Sequence, residues 1–94
     1  MEIGLQFEAQ LRPLAGLAPS PLVLPEGSTL LTAVRLAAEA AGKQLQSRVL
    51  VPDGGIRAGL LVFVNETPVV TDKADSYTLS DGDVILLLPP ISGG

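Results

Sequence analysis

The C-terminal stretch carries the one arrangement of residues in this sequence that suggests a reaction. Its residues are Pro89, Pro90, Ile91, Ser92, Gly93 and Gly94. Proline holds φ at about −65° and favours an extended chain, whereas glycine adds no side chain and leaves the backbone free. Such a tail is thin enough to enter a narrow channel in another protein, with the α-carboxylate of Gly94 at its tip.

A carboxylate is a poor electrophile until it is activated. A partner enzyme could convert the Gly94 carboxylate into an acyl-adenylate with ATP, and a sulfur or nitrogen nucleophile could then displace AMP. A side chain at position 93 or 94 would crowd this approach, which accounts for glycine at both. The sequence therefore predicts that Gly94 is the reacting residue and that Gly93 keeps the site open.

The sequence lacks the residue types that most other catalytic and metal sites require. The chain has no cysteine and no histidine, which excludes a cysteine nucleophile, a thiolate metal site and the usual general base near neutral pH. The aspartates of the C-terminal half are dispersed and do not have calcium-loop spacing. We therefore expect no metal site, no permanently bound cofactor and no catalytic activity in the body of the protein.

Length and charge narrow the class of partner. Ninety-four residues make one domain. The net charge of −4 argues against direct binding of nucleic acid or an anionic membrane and suits a basic groove on a partner protein. Neither a leader pattern nor an apolar run long enough for a membrane span is found. We expect a cytoplasmic protein that is monomeric when free.

The hydrophobic pattern predicts a small mixed domain. Residues 2–11 alternate as a half-buried strand, residues 12–19 form a turn or loop, and residues 22–24 form a second strand. Helical spacing over residues 29–41, with Ser28 or Thr29 as N-cap and Gly42 as C-cap, predicts the only convincing helix. Residues 43–59 are expected to form a long connection with one extra turn or short strand.

Two apolar runs predict the inner strands. Residues 60–64 and 84–88 are continuously apolar, the second following the turn formed by Asp81, Gly82 and Asp83. Residues 69–70 could add a brief edge strand, and Tyr77 and Leu79 should fill the core from a loop. The predicted fold is α+β: a mixed four- to five-stranded sheet crossed by one main helix, with the domain at residues 1–88 and the tail at 89–94.

The last strand raises a question about its second face. One helix covers one face of such a sheet, yet Val84, Leu86 and Leu88 are as apolar as Ile85 and Leu87. Either both faces are covered, or the open face is a docking patch beside the tail, or the central strand of a small sheet is apolar on both sides without a function for its second face. The adjoining tail favours the docking patch.

Three segments resemble the ubiquitin-like sulfur carriers, closest to the small subunits of molybdopterin synthase. They are residues 7–16 (FEAQLRPLAG), residues 62–69 (VFVNETPV) and residues 79–94 (LSDGDVILLLPPISGG). The third is the specific one, because it contains the turn, the apolar strand, the diproline and the diglycine end. Residues 46–59 are longer than in the compact molybdopterin-synthase subunits and are more similar to carriers of other sulfur pathways.

The resemblance implies a ubiquitin-like β-grasp fold in which the first and last strands are parallel. It also implies that a ubiquitin-activating-type (E1-like) enzyme adenylates Gly94 and that sulfur from a persulfide donor converts it to a thiocarboxylate. A biosynthetic enzyme, such as the large subunit of molybdopterin synthase, then receives the sulfur. The residues expected to contact partners are Pro68, Leu86, Leu88, Pro89, Pro90, Ile91 and Ser92.

Two alternatives to the sulfur carrier remain at this point. In the first, the protein is a modifier that Gly94 joins to lysines of target proteins through an isopeptide bond. In the second, it is a β-grasp interaction domain whose tail has no chemistry. The diproline and diglycine ending makes the second the least favoured.

Overall fold

The computed structural model describes residues 1–16 and 21–89. The predicted tail residues Pro90, Ile91, Ser92, Gly93 and Gly94 lie outside the described residues. The strands are β1 (Glu2–Phe7), β2 (Leu22–Val23), β3 (Leu61–Val64), β4 (Thr67–Val69) and β5 (Val84–Leu88). The helices are α1 (Leu11–Ala15), α2 (Leu30–Ala41) and α3 (Lys43–Val49), and a 3-10 turn spans Thr71–Lys73.

The five described strands form one mixed sheet in the order β2-β1-β5-β3-β4. Strands β1 and β5 are parallel, with Gly4 opposite Val84 and Phe7 opposite Leu87. Strand β5 also pairs antiparallel with β3, so the last strand is the central one. Three predictions are confirmed: the α+β architecture, the central position of residues 84–88, and the parallel pairing of the first and last strands of the chain.

Helix α2 packs against one face of this sheet through small side chains. Its inward positions are all fully buried: Leu30, Ala33, Val34, Ala37 and Ala38. Of the two predicted N-caps, Thr29 is the one used, since its hydroxyl accepts a hydrogen bond of 3.3 Å from the amide of Thr32.

The N-terminal region differs from the prediction. Strand β1 ends at Phe7 rather than at residue 11, because Ala9 has a φ of 52° and interrupts the extended chain. Leu11, predicted to end the strand, is buried but begins α1, and the helix continues to Ala15 where a turn or loop was expected. Pro13 is tolerated because it lies in the first turn of α1, where an amide hydrogen has no intrahelical acceptor.

The prediction for residues 43–59 was also wrong in its first half. Helix α3 occupies Lys43–Val49, so α2 is not the only helix. Leu45 and Val49 are both fully buried, and their i,i+4 spacing places them on one face. Gly42 ends α2 and begins α3 with φ 111° and ψ 174°, which is a positive φ outside the left-handed helical region that the C-cap prediction assumed.

The turn before β5 forms as predicted, and it is hydrogen-bonded to the first residue of β1. Gly82 has a φ of 87°, and its amide donates to the carbonyl of Glu2 at 2.8 Å. The Asp81 carboxylate accepts from the Glu2 amide at 2.7 Å. The turn therefore fixes the start of β5 against β1, and Leu79 just before it is buried as expected.

The β3–β4 hairpin contains a conformational strain. Asn65 and Glu66 have φ values of 51° and 70°, the left-handed pair of a two-residue hairpin turn in which glycine is preferred at the second position. The Asn65 side chain compensates by bonding twice to the start of β5: its amide donates to Asp83 Oδ1 at 2.8 Å, and its Oδ1 accepts from the Val84 amide at 3.0 Å.

We expect Glu66→Gly to raise the free energy of unfolding by about 0.5–1 kcal/mol. The left-handed conformation costs an L-residue roughly 1–2 kcal/mol, and the extra backbone entropy of glycine offsets about half of this gain. Chemical denaturation measures the change. Thr67→Gly is the matched control, because it adds glycine in β4 without a strained φ and should destabilise the protein. A loss of stability in Glu66→Gly would contradict the prediction.

Candidate functional site

The outward side of β5 is apolar. Ile85 and Leu87 point into the core and are fully buried, whereas Val84 is 48% exposed and Leu86 and Leu88 are half-buried. The helices cover the other side of the sheet. The second side of this strand is therefore apolar and partly exposed, and its role as a docking patch stays a prediction.

Strand register extends the apolar surface across the sheet. Leu86 lies opposite Phe63 of β3, and Phe63 lies opposite Pro68 of β4. Because directly opposed residues project from the same face, these three form one row, which Gln6 of β1 continues on the other side of Leu86.

A second row begins where β5 ends. Leu88 lies opposite Leu61, and Leu61 is 40% exposed. We call the surface formed by Leu61, Phe63, Pro68, Val84, Leu86 and Leu88 the open sheet face. The fold thus brings three of the predicted partner-binding residues, Pro68, Leu86 and Leu88, onto one surface.

A shallow depression of about 530 Å³ lies on the open sheet face. Its apolar floor includes Phe63 and Leu86, and its polar rim is formed by Gln6, Asn65 and Glu66. An apolar centre surrounded by polar groups is typical of protein-docking surfaces. Pro68 does not line this depression. It lines a neighbouring cavity together with Leu61 and Phe63.

Pro89 is the last described residue and forms the root of the tail. It is half-buried and lines a second cavity, of about 490 Å³, together with residues of α3 and of the loop after it. Leu88 and Pro89 are consecutive, so the open sheet face and this cavity adjoin the point where the tail leaves the sheet. The roles of Gly93 and Gly94 remain predictions.

The carboxylates near β5 have structural roles. Asp81 bonds to the Glu2 amide, and Asp83 accepts from the Ser80 amide at 2.8 Å as well as from Asn65. Within residues 1–16 and 21–89, no group of three or more potential ligands is placed to hold a metal ion. Over the same residues, no helix has the length and apolar character that a membrane span requires.

Sequence reasoning assigned no function to residues 43–59, yet two of their basic residues lie beside the tail root. Arg48 of α3 and Arg57 of the following loop both line the cavity that contains Pro89. The i,i+4 spacing of Leu45 and Val49 is the signal that could have indicated α3. The proximity of Arg48 and Arg57 to Pro89 depends on tertiary packing, so no local pattern indicates it.

Solved structures of similar architecture cover almost the whole chain. The SAMP1 protein of Haloferax volcanii has a TM-score of 0.81 and 26% identity, with 100% of both chains covered. A putative molybdopterin converting factor subunit 1 from Pyrococcus furiosus has a TM-score of 0.72 and 24% identity, covering 97% of this chain and 99% of that chain. At this identity the second structure supports the fold alone.

Comparison of sequences identifies the family. Ubiquitin-related modifier 1 of Ajellomyces capsulatus is 29% identical over 77 residues, which are 81% of this chain and 64% of that relative. The chain therefore spans less than two thirds of the length of this relative. The model of the ThiS family matches residues 5–94, which include the open sheet face, the tail root and both terminal glycines, and the chain accordingly belongs to the ThiS family.

Proposed function

We propose that this protein is a sulfur carrier whose Gly94 carboxylate is the reacting group. ThiS-family proteins are small ubiquitin-like carriers that are not enzymes themselves. They bear a C-terminal thiocarboxylate and work with E1-like and sulfur-using enzymes. One structural observation carries the proposal for this chain: the central strand β5, apolar on its open side, leads directly into the tail root at Pro89.

Two steps would load the carrier. The Gly94 carboxylate attacks the α-phosphorus of ATP in the activating enzyme, which releases pyrophosphate and leaves an acyl-adenylate. A sulfur nucleophile such as hydrosulfide then attacks the acyl carbon, AMP departs, and the thiocarboxylate remains. The contribution of the carrier itself would be to present an uncrowded terminus within six residues of the end of β5.

The open sheet face would provide the docking surface. Its apolar row of Leu86, Phe63 and Pro68 and its second row of Leu88 and Leu61 offer a partner an area that excludes water. Since β5 is held on both sides by neighbouring strands, docking at Leu88 would fix the position of Pro89. Only the five residues that follow Pro89 would then separate the docked surface from the reacting carboxylate.

We expect intact-protein mass spectrometry to detect the exchange of one oxygen for one sulfur atom. The reaction contains the chain ending at Gly94, its activating enzyme, ATP and sulfide. Tandem fragmentation should place the change at Gly94, and omission of ATP should prevent it. An unchanged mass with an enzyme that is active on its own substrate would refute both the carrier and the modifier.

A second candidate function is conjugation to proteins. It is favoured by the relative from Ajellomyces capsulatus, which is named a ubiquitin-related modifier. The same adenylate would then react with a lysine amine of a target and form an isopeptide bond. In cell extract, adducts of higher mass joined through Gly94 would support the modifier, whereas a thiocarboxylate consumed without adducts supports the carrier.

The sulfur acceptor is the finer part of the proposal. Molybdopterin synthase and the enzymes of related sulfur pathways are its candidates. Incubation of the purified thiocarboxylate with the large subunit of molybdopterin synthase and the molybdopterin precursor distinguishes them. Return of the carrier to the carboxylate mass, with sulfur transferred to the molybdopterin precursor, assigns that pathway. A stable thiocarboxylate excludes it.

A further inference from the structure

The cavity beside the tail root has an unusual charge for this protein. The sequence contains ten acidic and six basic residues, yet among the described residues the cavity is lined by two arginines and by no acidic side chain. Its apolar wall includes Leu11, Leu60 and Pro89. We call this cavity, defined by Arg48 and Arg57 with that wall, the basic pocket.

The basic pocket is held in shape from several sides. The Arg57 amide donates to the Val49 carbonyl at 2.8 Å, and Arg57 Nε donates to the Ser47 carbonyl at 2.7 Å. Both acceptors are carbonyls of the last turns of α3, part of the helix end that lacks intrahelical donors. Leu60 on the other side of the loop is buried. The Arg57 guanidinium is therefore fixed beside α3.

The loop itself is attached to α2 by a further arginine. Arg35 Nε donates to the Gly54 carbonyl at 2.6 Å, and a methyl group at position 54 would approach the Arg35 guanidinium to 2.5 Å. The loop also closes on itself, since the Val51 amide donates to the Gly55 carbonyl at 2.8 Å. The loop that forms one side of the basic pocket is thus held in place by hydrogen bonds to α2, to α3 and within itself.

We propose that the basic pocket is a second contact for the activating enzyme and receives an acidic segment of that enzyme. The inference rests on the proposed function, since it names the partner of that tail. Two observations specify the occupant. Arg48 and Arg57 select a carboxylate, because the guanidinium fork matches its two oxygens. The wall of Leu11 and Leu60 selects an apolar side chain next to it.

Position explains why the activating enzyme should use this pocket. Pro89 lines it, and Leu88 on the open sheet face directly precedes Pro89. An enzyme that encloses the tail must pass close to both surfaces. On a chain of net charge −4, a local pair of arginines would orient the approach of an acidic surface and accelerate association at low ionic strength.

The test measures activation kinetics and binding for single-charge variants. With the purified activating enzyme, ATP and sulfide, Arg48→Gln and Arg57→Gln should each raise Kd and KM about tenfold, a change typical of a lost interfacial charge contact. The rate at saturating carrier should stay unchanged. The rise of Kd with NaCl should be smaller than for the unaltered protein. Arg57→Lys, which keeps the charge, should recover part of the affinity.

Lys73→Gln is the matched control, since it removes one positive charge from the 3-10 turn and lines neither the basic pocket nor the depression on the open sheet face. Thermal unfolding verifies that each variant is folded. Equal KM values for Arg48→Gln, Arg57→Gln and Lys73→Gln would overturn the inference while leaving the proposed function intact. Impaired transfer to the sulfur acceptor alone would also overturn it. Absence of activation in the unaltered protein would instead refute the proposed function.

Discussion

Removal of Gly94 is expected to abolish thiocarboxylate formation while leaving the thermal unfolding midpoint almost unchanged. The deletion moves the carboxylate back by one residue, so that it no longer reaches the activating site when the open sheet face is docked. The central strand and the core residues Ile85 and Leu87 precede the tail and should be unaffected. Mass spectrometry and thermal unfolding of the same preparation measure both effects.

Two further variants separate position from size. Gly93→Val keeps the length of the tail but adds a β-branched side chain, and it should strongly reduce activation through crowding. Ser92→Ala keeps both length and terminal glycines and should reduce activation much less than Gly93→Val, because it removes only the hydroxyl of a residue expected to contact partners. Full activation of the Gly94 deletion would contradict the assignment of Gly94, and a loss in Ser92→Ala as large as in Gly93→Val would indicate that the effect does not depend on the diglycine.

The second large effect is a difference between the same substitution at two neighbouring leucines of β5, Leu87 and Leu88. Leu88→Asp is expected to remain folded and to weaken binding to the activating enzyme by at least about tenfold, because it places a charge on the apolar surface that we propose for docking. Leu87→Asp should not fold, because Leu87 is fully buried and a buried unpaired carboxylate costs several kcal/mol or more.

A less drastic pair makes the same comparison in folded proteins. Leu87→Ala should lower the free energy of unfolding by about 2–5 kcal/mol, whereas Leu88→Ala should lower it much less and act mainly on binding. Denaturation curves and binding isotherms are measured for both. If Leu88→Asp unfolds the protein, Leu88 belongs to the core and the open sheet face is not the docking surface.

Local patterns were sufficient for much of the fold. Continuous apolar residues indicated β3 and β5, and the turn at Asp81, Gly82 and Asp83 was recognisable from its residues. The two failures have different causes. The prolines between residues 12 and 19 suggested a loop, although Pro13 fits the first turn of a short helix. Helix α3 was missed because only Leu45 and Val49 carry its apolar face.

In the candidate site, too, local patterns predict one part, and the rest depends on tertiary packing. The lack of alternation along β5 suggested an open apolar face as one alternative, and the structure adds the rows that place Pro68 and Leu86 together, since these rows depend on strand register. The basic pocket could not be predicted, because Arg48, Arg57 and Pro89 meet only when α3 packs beside the end of β5. The tail beyond Pro89 was indicated by sequence alone.

The central position of β5 also has a consequence for the order of folding. Until residues 84–88 have been synthesised, β1 lacks its parallel neighbour and β3 lacks its inner partner. A nascent chain therefore cannot close the sheet before its last strand is available, and its longest contacts form late. The open sheet face is complete only after that closure, so an activating enzyme that docks there, as we propose, would bind folded carriers and not incomplete chains.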